Sequence, residues 1–251
     1  MSSAAEPRPP VVLITGAAKR VGARIARELH QAGADVLLHY RASRQEAEAL
    51  AAQLNAERPG CCSCLQADLL DTAALAQMVA AVIERTGRLD ALVNNASSFF
   101  PTPLGSIDEA AWNELIGSNL KGPLFLSQAA APHLRASGGA IVNITDIHAE
   151  WPLKNYPLYC AAKAGLLGLT RALALELAPE VRVNAVAPGP IAWPENDAFD
   201  AEARAEIVRR TLLGRVGEPA DIARTVRFLL FDAPFVTGQV INVDGGRSIR
   251  L

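Results

Sequence analysis

The stretch Val11-Val-Leu-Ile-Thr15-Gly16-Ala-Ala-Lys19-Arg20-Val21-Gly22-Ala-Arg-Ile25-Ala26-Arg-Glu-Leu29 decides the fold. Val11 to Thr15 is a short, continuous apolar run, which suits a strand buried on both faces. Val21, Ile25, Ala26 and Leu29 then recur at helical spacing, so a glycine-bearing turn joins strand to helix. Gly16 permits the turn and Gly22 permits close packing of the helix. In a doubly wound sheet such a turn places dinucleotide phosphates against a helix N-terminus. A strand-to-helix turn with no ligand is the competing reading, and only the rest of the chain separates the two.

The alternation continues along the chain. Gly33-Ala34-Asp35 closes the helix, Val36 to Tyr40 is a second apolar run, and Ser43 is placed to cap the next helix. Further strands are expected at Cys62 to Gln66, Leu89 to Asn94, Ala140 to Thr145, Val181 to Ala187 and Gln239 to Val243. Helices are expected from Thr72, between Ile107 and Ala136, from about Leu158 to Leu177, and from Asp221 to Leu230. Seven near-continuous apolar strands alternating with helices predict an α/β protein: a doubly wound Rossmann fold whose seven-stranded parallel sheet is covered by helices on both faces. No linker interrupts the pattern, so residues 10–251 read as one domain behind a polar, proline-rich tail at 1–9. Pro188 to Leu213 departs from it, being proline-rich and then a charged amphipathic helix with no strand. That segment, about 189–213, is placed to act as a lid.

Composition excludes several classes. Half of the 251 residues are apolar and a fifth are charged, a balance that supplies one large core. A net charge of −2, without a lysine or arginine run, offers no surface to nucleic acid. No apolar stretch approaches the roughly 20 residues that span a bilayer, and the opening ten residues lack an apolar signal core. The expectation is a soluble, cytoplasmic protein with no membrane partner. Cys61, Cys62 and Cys64 crowd together far from Cys160, without a second cluster at zinc spacing, so they read as buried reduced thiols and no metal is expected.

Two groups of residues carry chemistry. NAD sites usually place a carboxylate after the second strand to hold the ribose hydroxyls, yet the segment His39-Tyr40-Arg41-Ala42-Ser43 contains no acid. Arg20 and Arg41 are instead suited to a 2′-phosphate, which a guanidinium meets with paired hydrogen bonds, so NADPH is the predicted cofactor. Tyr159 and Lys163, four apart on a predicted helix, share a face. A nearby ammonium favours the ionised phenol and brings its proton exchange toward neutral pH, which suits proton transfer coupled to hydride transfer.

With these features the chain resembles the short-chain dehydrogenase/reductase family over nearly its whole length. The matching residues are Thr15 to Gly22, Asp68, Asn94-Asn95-Ala96, Asn119, Tyr159-Cys160-Ala161-Ala162-Lys163, Asn184, Pro188-Gly189 and Asp244-Gly245-Gly246. The resemblance implies that Tyr159 exchanges the proton, Lys163 holds the nicotinamide ribose, Asn119 supports a water relay, Asp68 contacts adenine and Asn94 borders the ribose. It implies cofactor contacts at Gly16, Arg20, Val21, Gly22, His39, Tyr40, Arg41, Ser43, Asp68, Leu69, Asn95, Ala96, Ser97, Tyr159, Lys163, Pro188, Gly189 and Ile191. The carboxyl-terminal third resembles the family segments that build a two-fold-related homotetramer.

Two departures narrow the reading. Arg20 replaces the family's usual phosphate-loop glycine, and Asp146 replaces the serine 13 residues before the tyrosine. An ionised aspartate cannot donate to a ketone oxygen and repels a developing alkoxide, whereas it suits the N–H groups of a nitrogen heterocycle. This combination, with His39-Tyr40 and Asn94 through Leu104, resembles the pteridine reductase branch. That branch implies a pterin or folate substrate stacked on Phe99, held at its pyrimidine end by Ser97 and faced by Arg20, Asp146 and Tyr159; Trp193, in a lid individual to this chain, is a further substrate-binding candidate. Trp151 and Leu153 are further candidates for the substrate mouth. A carbonyl or 3-oxoacyl reductase and a non-catalytic NADP(H)-sensing protein are the alternatives.

Overall fold

A computed structural model describes residues 8–193 and 200–250. Seven parallel strands form one sheet: β1 (Val11–Ile14), β2 (Asp35–Tyr40), β3 (Cys62–Gln66), β4 (Ala91–Asn94), β5 (Ala140–Ile144), β6 (Arg182–Pro188) and β7 (Val240–Val243). Their order is β3-β2-β1-β4-β5-β6-β7, so the chain reverses its direction of travel between β1 and β4. Val12 pairs with Val36 on one side and Ala91 on the other, which makes β1 the central strand at that switch. Ligands of open α/β sheets bind outside the carboxyl ends of the strands at such a point.

The helices are α1 (Arg20–Gln31), α2 (Arg44–Glu57), α3 (Thr72–Thr86), α4 (Glu109–Ile116), α5 (Gly122–Ser137), α6 (Pro157–Leu177), α7 (Ala201–Arg210) and α8 (Pro219–Arg227). Alternate strand residues feed two cores, as the period-two geometry of a strand demands. Val12, Ile14, Val36 and Leu38 pack with Ile25 and Leu29 of α1 and Ile222 of α8, while Val11, Leu13, Leu37 and Leu92 pack with Val79 of α3 and Leu126 of α5. Short continuous apolar strands follow from this, because both faces are buried.

Three local expectations need correction. Ser43 occupies the residue before α2, but its side chain caps no backbone N–H; Asp71, Asp108 and Asp200 do so for α3, α4 and α7. The helices expected between 107 and 136 are two, α4 and α5, and they run on through an unforeseen π-helical turn at Gly117–Lys121. An apolar helix of bilayer length does exist: α6, with 21 residues, is long and apolar enough, yet half of its most apolar window is buried in the protein and it carries Lys163. In the lid segment, α7 is the expected amphipathic helix and Ile191 makes a single bridge to Gly217. Residues 194–199 of that lid and 1–7 of the tail lie outside the described residues. Cys61 and Cys62 are buried, Cys64 is half-buried, and burial pushes the Cys62 thiol up to about 12.

Candidate active site

The carboxyl ends of the strands open onto a cavity of about 550 Å³, within the range of small-molecule sites. At one end stands the β1–α1 turn. Gly16 has φ +61, and a Cβ there would lie 2.9 Å from the Cα of Ala96. A Cβ on Gly22 would lie 2.1 Å from the Gly16 carbonyl oxygen. Both glycines are therefore required by close approach of backbone to backbone.

Side chains from neighbouring strands hold this turn in place. The Gly16 N–H donates to His39 Nδ1 at 3.2 Å, and His39 Nε2 meets the Ala67 carbonyl at 3.1 Å, so Nδ1 is the acceptor and Nε2 carries the hydrogen. Burial pulls the His39 pKa down, consistent with this neutral form. Asn95 Nδ2 donates to the carbonyls of Thr15 and Gly16 at 2.8 and 3.1 Å, and Thr15 Oγ1 accepts the N–H groups of Asn95 and Ala96. His39 Nδ1 and Asn95 Nδ2 thus hold the backbone of the turn in place.

The reacting groups converge from β5 and α6. Tyr159 Oη donates to Asp146 Oδ2 at 2.7 Å, and the other carboxylate oxygen accepts the His148 N–H at 2.8 Å. Burial, with the Asp146 carboxylate beside it, holds the Tyr159 phenol well above the ordinary tyrosine range. This corrects the expectation of a phenol drawn toward neutral pH by an ammonium. Lys163 is fully enclosed, donates to the Ile144 carbonyl at 2.9 Å, and has its Nζ 5.7 Å from the Tyr159 ring centroid. Burial brings its pKa down to about 8 against the raising effect of Asp146.

Phe99 lines the cavity and is also packed: its ring stacks on Tyr156 at 4.5 Å and meets Tyr159 edge-on at 4.8 Å. One face of the ring is therefore covered by Tyr156. Ser97 lines the cavity, with its hydroxyl donating to Asn119 Oδ1 at 2.7 Å. Asn119 is wholly buried in the π-helical turn, and its amide donates to the carbonyls of Ser98 and Leu115, each at 3.0 Å. Its side chain holds the Ser97–Ser98 loop and does not line the cavity.

Of the other expected positions, Val21, Asp68, Leu69, Ala96, Pro188, Gly189, Ile191, Trp193 and Leu153 line the cavity, while Tyr40, Ser43 and Trp151 do not. Tyr40 is buried with the Arg44 guanidinium 5.8 Å from its ring centroid. Asn94 points into the sheet, donating to Asn143 at 2.8 Å and Ser127 at 3.3 Å, so it does not border the cavity and Asn95 does. The two arginines reach different elements. Arg20 Nη2 donates to the Ala192 and Trp193 carbonyls at 2.9 and 3.1 Å, and Arg41 Nη1 meets Glu114 of α4 at 3.0 Å.

Sequence reasoning missed His148, Glu114, Tyr156, Ile207 and Arg247. His148 and Arg247 line the cavity, and Arg247 Nη1 donates to the Ile207 carbonyl of α7 at 3.2 Å. Each lies within three residues of a recognised position or on a helix of the site's surroundings, but helical and turn neighbourhoods do not announce which side chain points inward.

Comparison with known proteins agrees with this arrangement. A family profile described as enoyl-(acyl carrier protein) reductase matches residues 16–248. The chain is 39% identical to "Pteridine reductase 1" of Leishmania tarentolae, covering 97% of this chain and 98% of that protein. It is 37% identical to a 3-oxoacyl-(acyl-carrier-protein) reductase of Staphylococcus aureus, covering 93% and 96%. An uncharacterized oxidoreductase of Methylorubrum extorquens is 36% identical over 94% of this chain. The glycine turn at the sheet's switch point, the tyrosine and lysine on α6, and these full-length matches have one explanation: the chain is an oxidoreductase that belongs to the short-chain dehydrogenase/reductase family.

Proposed function

We propose that this protein is an NADPH-dependent pteridine reductase, reducing an oxidised pterin or 7,8-dihydropterin, and dihydrofolate among such substrates, to the tetrahydro form. The observation that carries the reading is the 2.7 Å hydrogen bond from Tyr159 to Asp146. A serine at that position serves a carbonyl oxygen, whereas a carboxylate suits ring N–H groups and a ring nitrogen that must gain a proton. The relative from Leishmania tarentolae, a pteridine reductase by name, supports the same substrate class.

The chain's residues fit a reduced nicotinamide dinucleotide. Gly16 and Gly22 let the β1–α1 turn pack closely at the cavity's edge, which leaves the N-terminus of α1 beside the space for a phosphate. Lys163 makes one hydrogen bond among the described residues, leaving two of its three N–H groups for a ribose. When bound, the dinucleotide supplies a hydride to the substrate carbon. The accompanying proton comes from the Asp146–Tyr159 pair, which holds it along one short hydrogen bond, and solvent restores it. Arg20 and Arg41 are the candidate partners of a 2′-phosphate, with Arg41 closer in sequence to the end of β2.

The test is a substrate panel with NADPH and NADH. Turnover of dihydrobiopterin, dihydromonapterin or dihydrofolate with NADPH is expected, and failure on all three rejects the pterin reading. Asp146→Ser is expected to lower pterin turnover by about 100-fold or more, the scale of general acid–base catalysis. The second reading, a 3-oxoacyl reductase, draws on the Staphylococcus aureus relative. It requires instead that Asp146→Ser preserve or raise turnover of a 3-oxoacyl thioester. We also propose a homotetramer: Trp112 and Phe125 on α4 and α5, and Phe228 and Phe235 after α8, expose large apolar surface. Light scattering on the eluted protein measures it directly.

A further inference from the structure

Arg41 lies just past β2, and its Nη1 donates to both carboxylate oxygens of Glu114 at 3.0 and 3.2 Å. The contact joins the end of β2 to α4. Nε and Nη2 of Arg41 have no partner among the described residues. The same carboxylate accepts the Ser98 hydroxyl on Oε1. Ser98 in turn gives its carbonyl to Asn119, and its neighbours Ser97 and Phe99 line the cavity. One carboxylate thus touches the cofactor-side arginine and the loop of the substrate side. The Glu114 side chain is 26% exposed and that of Arg41 54%, so the pair is solvent-screened and its main consequence is for the charge that a ligand meets.

We propose that Glu114 is a specificity-determining residue that acts through Arg41 and lowers the protein's preference for a 2′-phosphorylated dinucleotide over an unphosphorylated one. The carboxylate engages one guanidinium nitrogen and offsets the positive charge, so a phosphate dianion meets a partly neutralised partner. An unphosphorylated dinucleotide has no group that draws on Arg41, and its binding is insensitive to Glu114. The inference rests on reading Arg41 as the residue that faces the 2′-phosphate.

Glu114→Gln separates charge from position, because glutamine keeps an acceptor for Ser98 and Arg41 and removes only the charge. Dissociation constants for NADPH and NADH are measured by fluorescence titration for wild type, Glu114→Gln, Arg41→Ala and the double variant, with unfolding curves to show that each folds. Glu114→Gln is expected to bind NADPH about fivefold more tightly, equivalent to about 1 kcal/mol, and NADH unchanged. The gain shrinks in about 0.5 M salt, where the Debye length is a few ångströms. In the Arg41→Ala background the same substitution brings no gain. If Arg41→Ala weakens NADPH while Glu114→Gln leaves it unchanged or weaker, the role of Glu114 is overturned and the NADPH reading stands. If Arg41→Ala leaves NADPH and NADH alike, the assignment of the phosphate to Arg41 fails, and with it this inference. Ser98→Ala, which keeps the charge and cuts the loop contact, is expected to stay within twofold of wild type. A fivefold tightening there would trace the effect to the loop and overturn the proposal as well.

Discussion

The two ends of the cavity are built by different means. At the β1–α1 turn the backbone is fixed by groups from three other strands: His39 of β2 and Asn95 after β4 take its N–H and carbonyls, and Ala67 after β3 anchors His39. At the lid, arginine heads meet backbone carbonyls, Arg20 on Ala192 and Trp193 and Arg247 on Ile207, beside a short backbone bridge that joins Pro190 and Ala192 to Gly217. Arg204 also stands 5.3 Å from the Trp193 ring centroid. One end is preorganised by short side chains on strands, the other is tethered by long side chains that lose more rotamer freedom when fixed. A turn of the first kind serves the same dinucleotide in many enzymes, whereas tethers of the second kind are free to differ with the substrate. Where the comparison is right, damage to the turn costs affinity and stability together, and damage to the tethers costs ligand affinity with little loss of stability.

The largest break is at Gly22. A Cβ there would lie 2.1 Å from the Gly16 carbonyl oxygen, which is backbone, and 2.7 Å from Asn95 Nδ2, which two hydrogen bonds to the turn hold in place. Gly22→Ala is expected to weaken NADPH binding by about 100-fold or more and to cost about 3 kcal/mol of stability, the upper range for overpacking. Cofactor titration and urea unfolding measure both; wild-type affinity would show that the turn is not rigid. His39→Ala comes next, because it leaves the Gly16 N–H and the Ala67 carbonyl without their partner. Each unpaired buried group costs about 1–3 kcal/mol, so a loss of about 2–6 kcal/mol is expected, with weaker cofactor binding alongside.

The contrast also explains what the sequence made legible. The strand–turn–helix order, the seven strands and the Tyr159–Lys163 pair follow from periodicity and spacing, which are local properties. Asp146 is legible because its residue type conflicts with the carbonyl chemistry expected at that position, and the structure brings its carboxylate within 2.7 Å of the Tyr159 hydroxyl. His39 is visible as a position but not as a support for Gly16, since that role depends on β1 and β2 being adjacent. Glu114 carries no local signal at all: it lies 73 residues from Arg41 and meets it only through the sheet order. The direction of the Tyr159 shift is hidden for a similar reason, because spacing shows the lysine and not the burial and the Asp146 carboxylate that outweigh it.

A smaller effect concerns the charge kept near the rigid end. Lys163 is depressed from its ordinary 10.5 to about 8 by burial. The unfolded chain therefore binds a proton that the folded one has released between these values, and stability rises with pH across that window. Below pH 8 the ammonium is buried at full cost. Relative to Lys163→Met, the wild type is expected to gain about 2 kcal/mol between pH 8 and 10. Urea midpoints of the two proteins across that range test it, and parallel curves would show that the lysine stays protonated throughout.

The smallest and most selective test is Arg20→Gly. Arg20 opens α1 with φ +50, a left-handed conformation that costs a residue with a Cβ about 1 kcal/mol and that glycine adopts freely. The family's usual residue here is glycine, so the arginine is retained at the expense of backbone strain, and its two bonds to the lid carbonyls are the compensating contact. Glycine relieves the strain and adds chain entropy to the unfolded state by a similar amount, leaving the unfolding free energy within about 1 kcal/mol of wild type. The lid loses its tether, so amide exchange at residues 191–193 is expected to quicken and the substrate KM to rise about fivefold, with kcat changed less. Loss of stability with KM unaltered would instead place Arg20 with the turn, and the division between a fixed end and a tethered end would fall.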